Sequence, residues 1–354
     1  MSDITGSSTM FTGGCEWLRS EGDDNDIVIS SRIRLARNVA GFPFQTRASE
    51  QDRKAVCAAV AAAAAEVFDK KKYCCAAVDA FDELERAYLV ERQLISRELS
   101  QSPGTRSALI DKKEQFCVMV NEEDHLRLCA MTGGFAPYKV WKRINDIDNK
   151  LESKLDYVFH RKYGYLTACP TNTGTGMRVS VMLHLPALVI SKEIDKVFRS
   201  LQKVNLAVRG LYGEGTQPAG DFFQISNQQT LGKTEEELLE KISTMVPQIV
   251  NYERQAREYL LKERKEFLFD RCGRAEGLLK TARTIGTAET MHHLSSIRLG
   301  VNMKILDGIP LTVVNELFLN TQPAHLQKIQ GKELTSSERD VVRADYIRRA
   351  LSEV

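Results

Sequence analysis

Several absences narrow the reading first. No G-x-x-x-x-G-K-[ST] segment occurs, so this is not a P-loop protein. Eight cysteines are present, yet no two form a C-x-x-C pair and no signal peptide is recognisable, which reads as reduced thiols in a cytoplasmic chain. No apolar run reaches about 18 residues, so no transmembrane helix and no membrane partner are expected. Net charge is only +2, from 49 basic and 47 acidic side chains, too small to point to direct nucleic-acid binding. Basic residues therefore matter only where they cluster.

What is present is a chain of 354 residues, 43% apolar and 27% charged, sufficient for a buried core. A size of roughly 150 residues per domain suggests two domains. The Ser-, Thr- and Gly-rich start predicts a flexible N-terminus over 1–24, with the first 14 or so residues frayed. Segment 25–250 alternates strands and helices. From Thr234 the pattern is helical to the end, with Pro247 predicting a kink or break, and the domain boundary is placed near 250.

The stretch from Cys169 to Pro186 organises the rest. Cys169-Pro170-Thr171-Asn172-Thr173-Gly174-Thr175-Gly176 is a small-residue turn able to expose backbone N–H groups to an anion. Arg178 follows, a planar fork suited to phosphate or carboxylate. Val179, Val181 and Leu183 then alternate with Ser180, Met182 and His184, which predicts a strand with one polar edge. Alone, the segment reads equally as a surface turn between strands.

Other arginines repeat the pattern. Arg32 and Arg34 flank Ile33 on an expected strand, side by side at about 6–7 Å. Such a pair reads as a solvated face or as two charges awaiting an anion. Arg127 lies beyond the acidic tip Glu122-Glu123-Asp124, where His125 reads as a structural histidine. Arg209 ends a strand and opens a Gly-rich loop from Gly210 to Gly220 that carries Glu214, a lid by composition. Ser49 and Asp52 predict the capped start of an Ala-rich helix, and helical spacing runs from Tyr138 to Phe159 and from Ala187 to Val204. Ala87–Val90 and Tyr163–Cys169 read as strands, and Cys74-Cys75 as buried thiols. Arg339 and Arg343 share a helix face at i, i+4. If one antiparallel sheet carries Arg32, Arg34, Arg127, Arg178 and Arg209, the charges converge on one groove whose natural partner is a polyanion such as ATP.

Ser31-Arg32-Ile33-Arg34, the Asn121–Arg127 run, the Cys169–Arg178 turn and the Arg209–Glu214 segment occur together in the order of the phosphagen (guanidino) kinases. The chain resembles that family over essentially its whole length, and is most similar to the bacterial protein-arginine kinases. Three features favour the protein-directed branch. The helical domain that precedes the first arginine motif in small-molecule guanidino kinases looks absent. A helical region follows the kinase part. Met182 stands where creatine- and arginine-kinase-like sequences carry histidine.

The resemblance implies an α+β fold, an antiparallel sheet flanked by helices, followed by an all-helical C-terminal domain over 251–354 for substrate and phosphoarginine binding. It implies ATP and Mg²⁺ as cofactors, with no metal-ligand set supplied by protein. Nucleotide contacts are expected from Ser30, Ser31, Arg32, Ile33, Arg34, Arg127, Arg178, Val179, Ser180, Val181, Met182, Arg209, Gly210, Leu211, Tyr212 and Gly213. Gln93 stands where the family carries a nucleotide-contacting histidine, and loses titration and most stacking there. Glu123, Glu214 and Cys169 are the expected catalytic set. Arg339, Asp340, Arg343 and Ala344 match an R-D-x-x-R-A motif tied to phosphoarginine and allosteric control. The implied partners are proteins with exposed arginine, a zinc-finger activator, a Clp-type chaperone-protease acting on marked proteins, a regulated stress-response repressor and a second copy in a homodimer. The alternatives are a small-molecule guanidino kinase and a catalytically spent phosphoarginine-binding adaptor.

Overall fold

Alternation builds the sheet. In β1 (Val28–Arg37), Ile33 and Leu35 are fully buried in an apolar core, while Arg32 and Arg34 face the other way. The computed structural model describes residues 15–19, 21–210 and 219–353. It continues through α1 (Glu50–Val67), β2 (Tyr73–Ala77), α2 (Glu83–Glu91), α3 (Arg97–Gln101), β3 (Ser107–Asp111), β4 (Phe116–Val120), β5 (Leu126–Gly133) and α4 (Pro137–Glu152). Short strands β6 (Phe159–His160) and β7 (Gly164–Tyr165) precede β8 (Met177–His184), α5 (Pro186–Ile190), α6 (Ile194–Lys203), β9 (Leu206–Gly210) and β10 (Phe222–Asn227). Helices α7 (Glu235–Glu263), α8 (Lys265–Thr281), α9 (Thr287–Asn302), α10 (Leu311–Asn320), α11 (Pro323–Gln330) and α12 (Ser336–Ser352) complete the chain. No described helix is long and apolar enough to cross a membrane.

Eight strands form one antiparallel sheet in the order β2-β3-β4-β5-β1-β8-β10-β9. The expected α+β architecture is present. One sheet face is apolar: Ile33, Leu128, Val179, Val181 and Ile225 pack with Val60 of α1, Ile144 of α4 and Ile242 of α7. Each such fully buried side chain contributes about 1.5–3 kcal/mol. The opposite face is covered at two places. α2 and α3 lie over Cys117, Met119 and Cys129. The C-terminal helices bring Met291, Leu294, Ile297 and Phe318 onto Ile29, Met131, Met182 and Phe222. Between these two covers the arginines remain.

The C-terminal helices are also pinned by polar contacts. Arg298 of α9 is fully buried and donates to the carbonyls of Asn25 and Asp26 and bonds His184 Nδ1. Ser295 Oγ lies 2.9 Å from His184 Nε2 and donates to Asp221 Oδ2 at 2.6 Å.

The Ser49 capping box and the α1 start match expectation. Elsewhere the elements differ. Ala87–Val90 lies inside α2, because Asp82 caps that helix by accepting from Glu85 N at 2.7 Å. The segment expected as one helix over 187–204 divides into α5 and α6, broken by Lys192 with φ +61°. The helix begun near Tyr138 stops at Glu152, short of Phe159, and only Gly164–Tyr165 of the 163–169 segment is strand. α7 runs unbroken through Pro247, so the boundary expected near 250 falls inside a continuous helix. Of the adjacent thiols, Cys74 is buried but Cys75 is exposed. Residues 1–14 lie outside the described set, but Cys15, Trp17 and Leu18 are buried against the C-terminal helices. Those three residues belong to the segment 1–24 that composition marks as flexible.

Candidate active site

Register brings the arginines together. Arg34 is the direct cross-strand partner of Arg178, and Arg32 of Ser180. Arg209 of β9 lies opposite Gln224 of β10, and Arg127 comes from β5 on the other side of β1. All five guanidinium groups line one cavity of about 250 Å³. Like charges directly opposed across strands destabilise a sheet, so the cluster is costly for the empty chain.

The partners of these arginines are the informative part. Three buried structural arginines elsewhere meet carboxylates: Arg37 with Asp148 at 2.7 Å, Arg92 with Glu114 at 2.6 Å, Arg257 with Glu253 at 2.9 Å. In the cavity, Arg32 is held by neutral groups, donating to Gln93 Oε1 at 3.0 Å, Gln224 Oε1 at 2.8 Å and Ser180 Oγ at 3.5 Å. Arg178 donates twice to Ser226 Oγ, at 3.2 and 3.1 Å. Arg34 Nε is buried with no hydrogen-bond partner among the described residues. Burial, then Arg32, Arg127 and Arg178, hold the Arg34 pKa well below its usual value. Burial, then Arg209, Arg32 and Arg127, bring Arg178 down to about 10. Arg127 differs: burial lowers it, but contact with Glu122 and the nearby Glu123 and Glu98 outweigh burial and raise it.

The acidic tip separates into three roles. Glu122 is buried, pairs with Arg127 and accepts from Ser96 Oγ. Asp124 is buried and accepts from Asn38 Nδ2 at 2.7 Å and Ala168 N at 2.6 Å, tying the tip to the Cys169 turn. Glu123 alone is exposed, and its Oε2 accepts from Asn172 Nδ2 at 3.3 Å. Cys169 Sγ lies 3.0 Å from Thr171 Oγ1. The structure therefore brings Glu123 beside the Cys169 turn. His125 is structural, its Nδ1 accepting from Val39 N.

The turn itself is not an anion nest. The N–H groups of Asn172, Thr173, Gly174 and Thr175 donate to the carbonyls of Cys169, Pro170, Tyr165 and Thr230. Gly176 is required instead by close packing: at φ +63°, an added Cβ would lie 2.6 Å from Ala36 O. Ile33, Val179 and Val181 turn their side chains into the apolar core, away from the arginine face. Ser31 Oγ is occupied with Gly134 O and Ala136 N, and Ser30 is buried at the start of the same strand. Met182 and Gln93 do line the cavity, Gln93 with φ +60°. Gly210 ends β9, whereas Leu211, Tyr212, Gly213 and Glu214 lie outside the described residues.

Several groups at or beside the cavity were not singled out by the sequence motifs. Gln224 and Ser226 alternate with Phe223 and Ile225 on β10, a period-two pattern that could have exposed them. Phe318, Leu319 and Gln322, from the α10–α11 corner, wall the cavity from the far end of the chain. The motif arginines of α12 sit behind that corner. Arg343 is almost wholly buried and donates to Thr321 O at 2.9 Å, Ile285 O at 2.8 Å and Asp340 Oδ1 at 2.6 Å. Arg339 is more open and donates to Leu334 O at 2.7 Å, while Ala344 is core. Among the described residues, no group of three or more His, Cys, Asp or Glu side chains is placed to hold a metal. A Mg²⁺ brought in on nucleotide phosphates needs no such set.

Comparison with known proteins places this geometry. Residues 55–256 match the family model for the ATP:guanido phosphotransferase C-terminal catalytic domain, and residues 265–354 match that for the protein-arginine kinase McsB C-terminal domain. A protein-arginine kinase of Desulforamulus reducens is 44% identical over 340 residues, 95% of each chain. One from Bacillus subtilis is 40% identical over 337 residues, 95% of this chain and 93% of the relative. Among solved structures, the duplicated taurocyamine kinase of Schistosoma mansoni superposes with TM-score 0.60 at 27% identity, over 72% of this chain and 36% of that one. A lombricine kinase matches with TM-score 0.59 at 23% identity over 72% of each chain, which speaks to fold alone.

Proposed function

We propose, for a chain that belongs to the ATP:guanido phosphotransferase family and is a protein-arginine kinase within it, a mechanism in which the sheet arginines hold ATP phosphates while Glu123 activates a substrate arginine. The observation that carries it is the set of five guanidinium groups on one cavity, three of them met only by neutral partners or by none. Phosphoryl transfer needs positioning and charge neutralisation more than covalent help, and this arrangement supplies both. Arg32, Arg34, Arg127, Arg178 and Arg209 bind phosphate oxygens, with Gln93 and Gln224 keeping Arg32 in place. Mg²⁺ carried in on the phosphates would supply further charge neutralisation without a ligand set from the protein.

The acceptor is chemically demanding. A guanidinium pKa of about 12.5–13.8 makes full deprotonation at pH 7 cost roughly 8 kcal/mol. Proton loss therefore accompanies attack: the guanidine nitrogen forms the N–P bond, the bond from γ-phosphorus to the bridging oxygen breaks, ADP leaves and Glu123 takes the proton. Asn172 steadies one carboxylate oxygen, leaving the other for substrate. Glu214 is the second carboxylate of the grip, and Cys169 orients the guanidinium without forming a covalent intermediate. Leu211, Tyr212 and Gly213 complete the nucleotide site in this reading.

The catalytic unit is taken as 25–250 and the helical unit as 251–354. In the latter, Arg339, Asp340, Arg343 and Ala344 form a phosphoarginine-responsive element. The Arg343 bond to Thr321 O, next to cavity-lining Gln322, supports a route from that element to the nucleotide. The wider reading is a cytoplasmic homodimer that marks proteins for a Clp-type protease, regulates a stress-response repressor and answers to a zinc-finger activator. The test is incubation with Mg-ATP and a casein-like protein, with mass spectrometry under non-acidic conditions. Phosphoarginine on the protein is expected. Acid-labile phosphate on free arginine or creatine alone would instead make the chain a small-molecule kinase. Stabilisation by ATP without any transfer would make it an adaptor.

A further inference from the structure

Phosphoryl transfer leaves one pair of nucleophilic side chains unused. Cys117 of β4 and Cys129 of β5 are direct cross-strand partners, both reduced and both buried. Residues opposed in this way have Cα atoms about 4.5–5.5 Å apart, within the roughly 4.4–6.8 Å that a disulfide spans. Cys129 is also the direct partner of Arg34 on β1, and it lines the arginine cavity. Cys117 sits behind it among Leu94, Leu99 and Ile110.

The surroundings divide the labour between the two thiols. A hydrogen bond from Cys117, then Arg32, Arg34 and Arg127, pull the Cys129 pKa below that of an ordinary thiol in spite of burial. The same contact, then burial, push Cys117 well up. One sulfur is poised as a thiolate at a cavity open to small solutes, and its neighbour waits as a protonated thiol. That is the arrangement of an attacking and a resolving cysteine. Burial instead raises Cys15, Cys57, Cys74 and Cys272.

We propose that Cys117 and Cys129 form a reversible, peroxide-driven disulfide that switches off nucleotide binding, a reading that rests on the cavity being the nucleotide site. Cys129 thiolate attacks hydrogen peroxide: an S–O bond forms, the O–O bond breaks, sulfur is oxidised to sulfenic acid and the departing hydroxide takes a proton to become water. Cys117 then gives up its proton and attacks that sulfur. The S–S bond forms, the S–O bond breaks and a second water leaves. Opposed side chains start with Cβ atoms about 4.5–5.5 Å apart, wider than the roughly 3.5–4.5 Å of a relaxed bridge. Closure therefore draws β4 and β5 together and displaces Arg127, two residues from Cys129, from its place on the cavity. Strain also makes the bond easy to reduce. Bound nucleotide covers Cys129, so ATP shields the pair.

The full chain is treated with hydrogen peroxide, with and without saturating Mg-ATP, alkylated and digested with trypsin. Cleavage at Arg127 places the two cysteines on separate peptides, 114–127 and 128–139. A linked pair is expected, formed at least about tenfold more slowly with Mg-ATP and lost on adding dithiothreitol. Thermal stabilisation by Mg-ATP should vanish in the oxidised parent and return on reduction. In Cys117→Ala it should be present before peroxide and should survive treatment. The proposal is overturned if both peptides remain fully alkylated once the exposed Cys75 is oxidised, a control internal to the same digest that needs no variant. It is overturned equally if the linked chain keeps its full Mg-ATP stabilisation. No Mg-ATP stabilisation in the reduced parent is a separate failure, that of the nucleotide site itself.

Discussion

Replacing Arg178 by Gln should strengthen the empty chain and weaken the loaded one. Burial and three neighbouring arginines bring its pKa down to about 10, well below that of a free guanidinium. A shift of that size corresponds to about 3 kcal/mol of unfavourable environment for the charge, an upper figure for a partly buried group. The substitution also removes two hydrogen bonds to Ser226 Oγ, worth roughly 1.5–3 kcal/mol together. The net gain is on the order of 1 kcal/mol, or about 1–2 °C in Tm for a chain of this length. Loss of a charge-assisted phosphate contact should weaken Mg-ATP binding by about 10- to 150-fold. At roughly 100 Kd of nucleotide the parent gains about 2.7 kcal/mol, whereas a variant with a thirtyfold weaker Kd gains about 0.9 kcal/mol. The order of stabilities therefore reverses with ligand. Differential scanning fluorimetry across a nucleotide titration measures both ends. A variant less stable than the parent without ATP, with an unchanged ATP shift, would refute the view that these charges await an anion.

Glu123→Gln should cut arginine phosphorylation by about 10²–10⁴-fold with Mg-ATP binding retained, as read by single-turnover transfer beside a binding titration; unaltered turnover would remove Glu123 from the base role. Arg343→Ala should lower stability, because it leaves the carbonyls of Thr321 and Ile285 without a donor, at on the order of 1–3 kcal/mol each. Arg339→Ala is the cleaner probe of phosphoarginine response, expected to keep basal transfer and lose the effect of added phosphoarginine; identical responses in variant and parent would reject that site. Burial depresses the pKa of His125, of His184 (helped by Arg298 and Arg257) and of His325 (against Glu91). Their contribution to stability is complete above the unfolded value of about 6.5 and is lost as pH falls below it, where the unfolded chain takes protons that the folded chain refuses. Imidazole NMR titration should find each of these three rings protonating at lower pH than an ordinary histidine, and a ring that protonates at higher pH in the folded chain would contradict the sign.

Much of this was readable in the residues because strand alternation is a local rule. Arg32 and Arg34, like Arg178 and Ser180, announce their shared face within a few positions. The misreadings came where a short apolar run met a competing local signal. Ala87–Val90 carries the composition of a strand, but Asp82 with Glu83 and Glu85 supplies a helix start upstream. The glycine turn after Cys169 has the composition of an anion nest, but its N–H groups are claimed by Tyr165 and Thr230, partners set by tertiary folding. The three acids at 122–124 look alike in sequence, and only packing assigns one to Arg127, one to Asn38 and one to solvent. The α10–α11 wall had no local trace, since nothing near Phe318 or Gln322 specifies a partner on a distant sheet.

That wall binds the history of the two family segments together. Phe318, Leu319 and Gln322 close a chamber whose floor is laid by strands from the first two-thirds of the chain. Cutting the gene ahead of Lys265 would leave the arginine cavity open on one flank and strip the cover from Ile29, Met131, Met182 and Phe222. A split of that kind would expose those apolar side chains to water and remove part of the cavity wall. Substitutions on the two sides of that seam, in contact across one cavity wall, should therefore couple energetically rather than add.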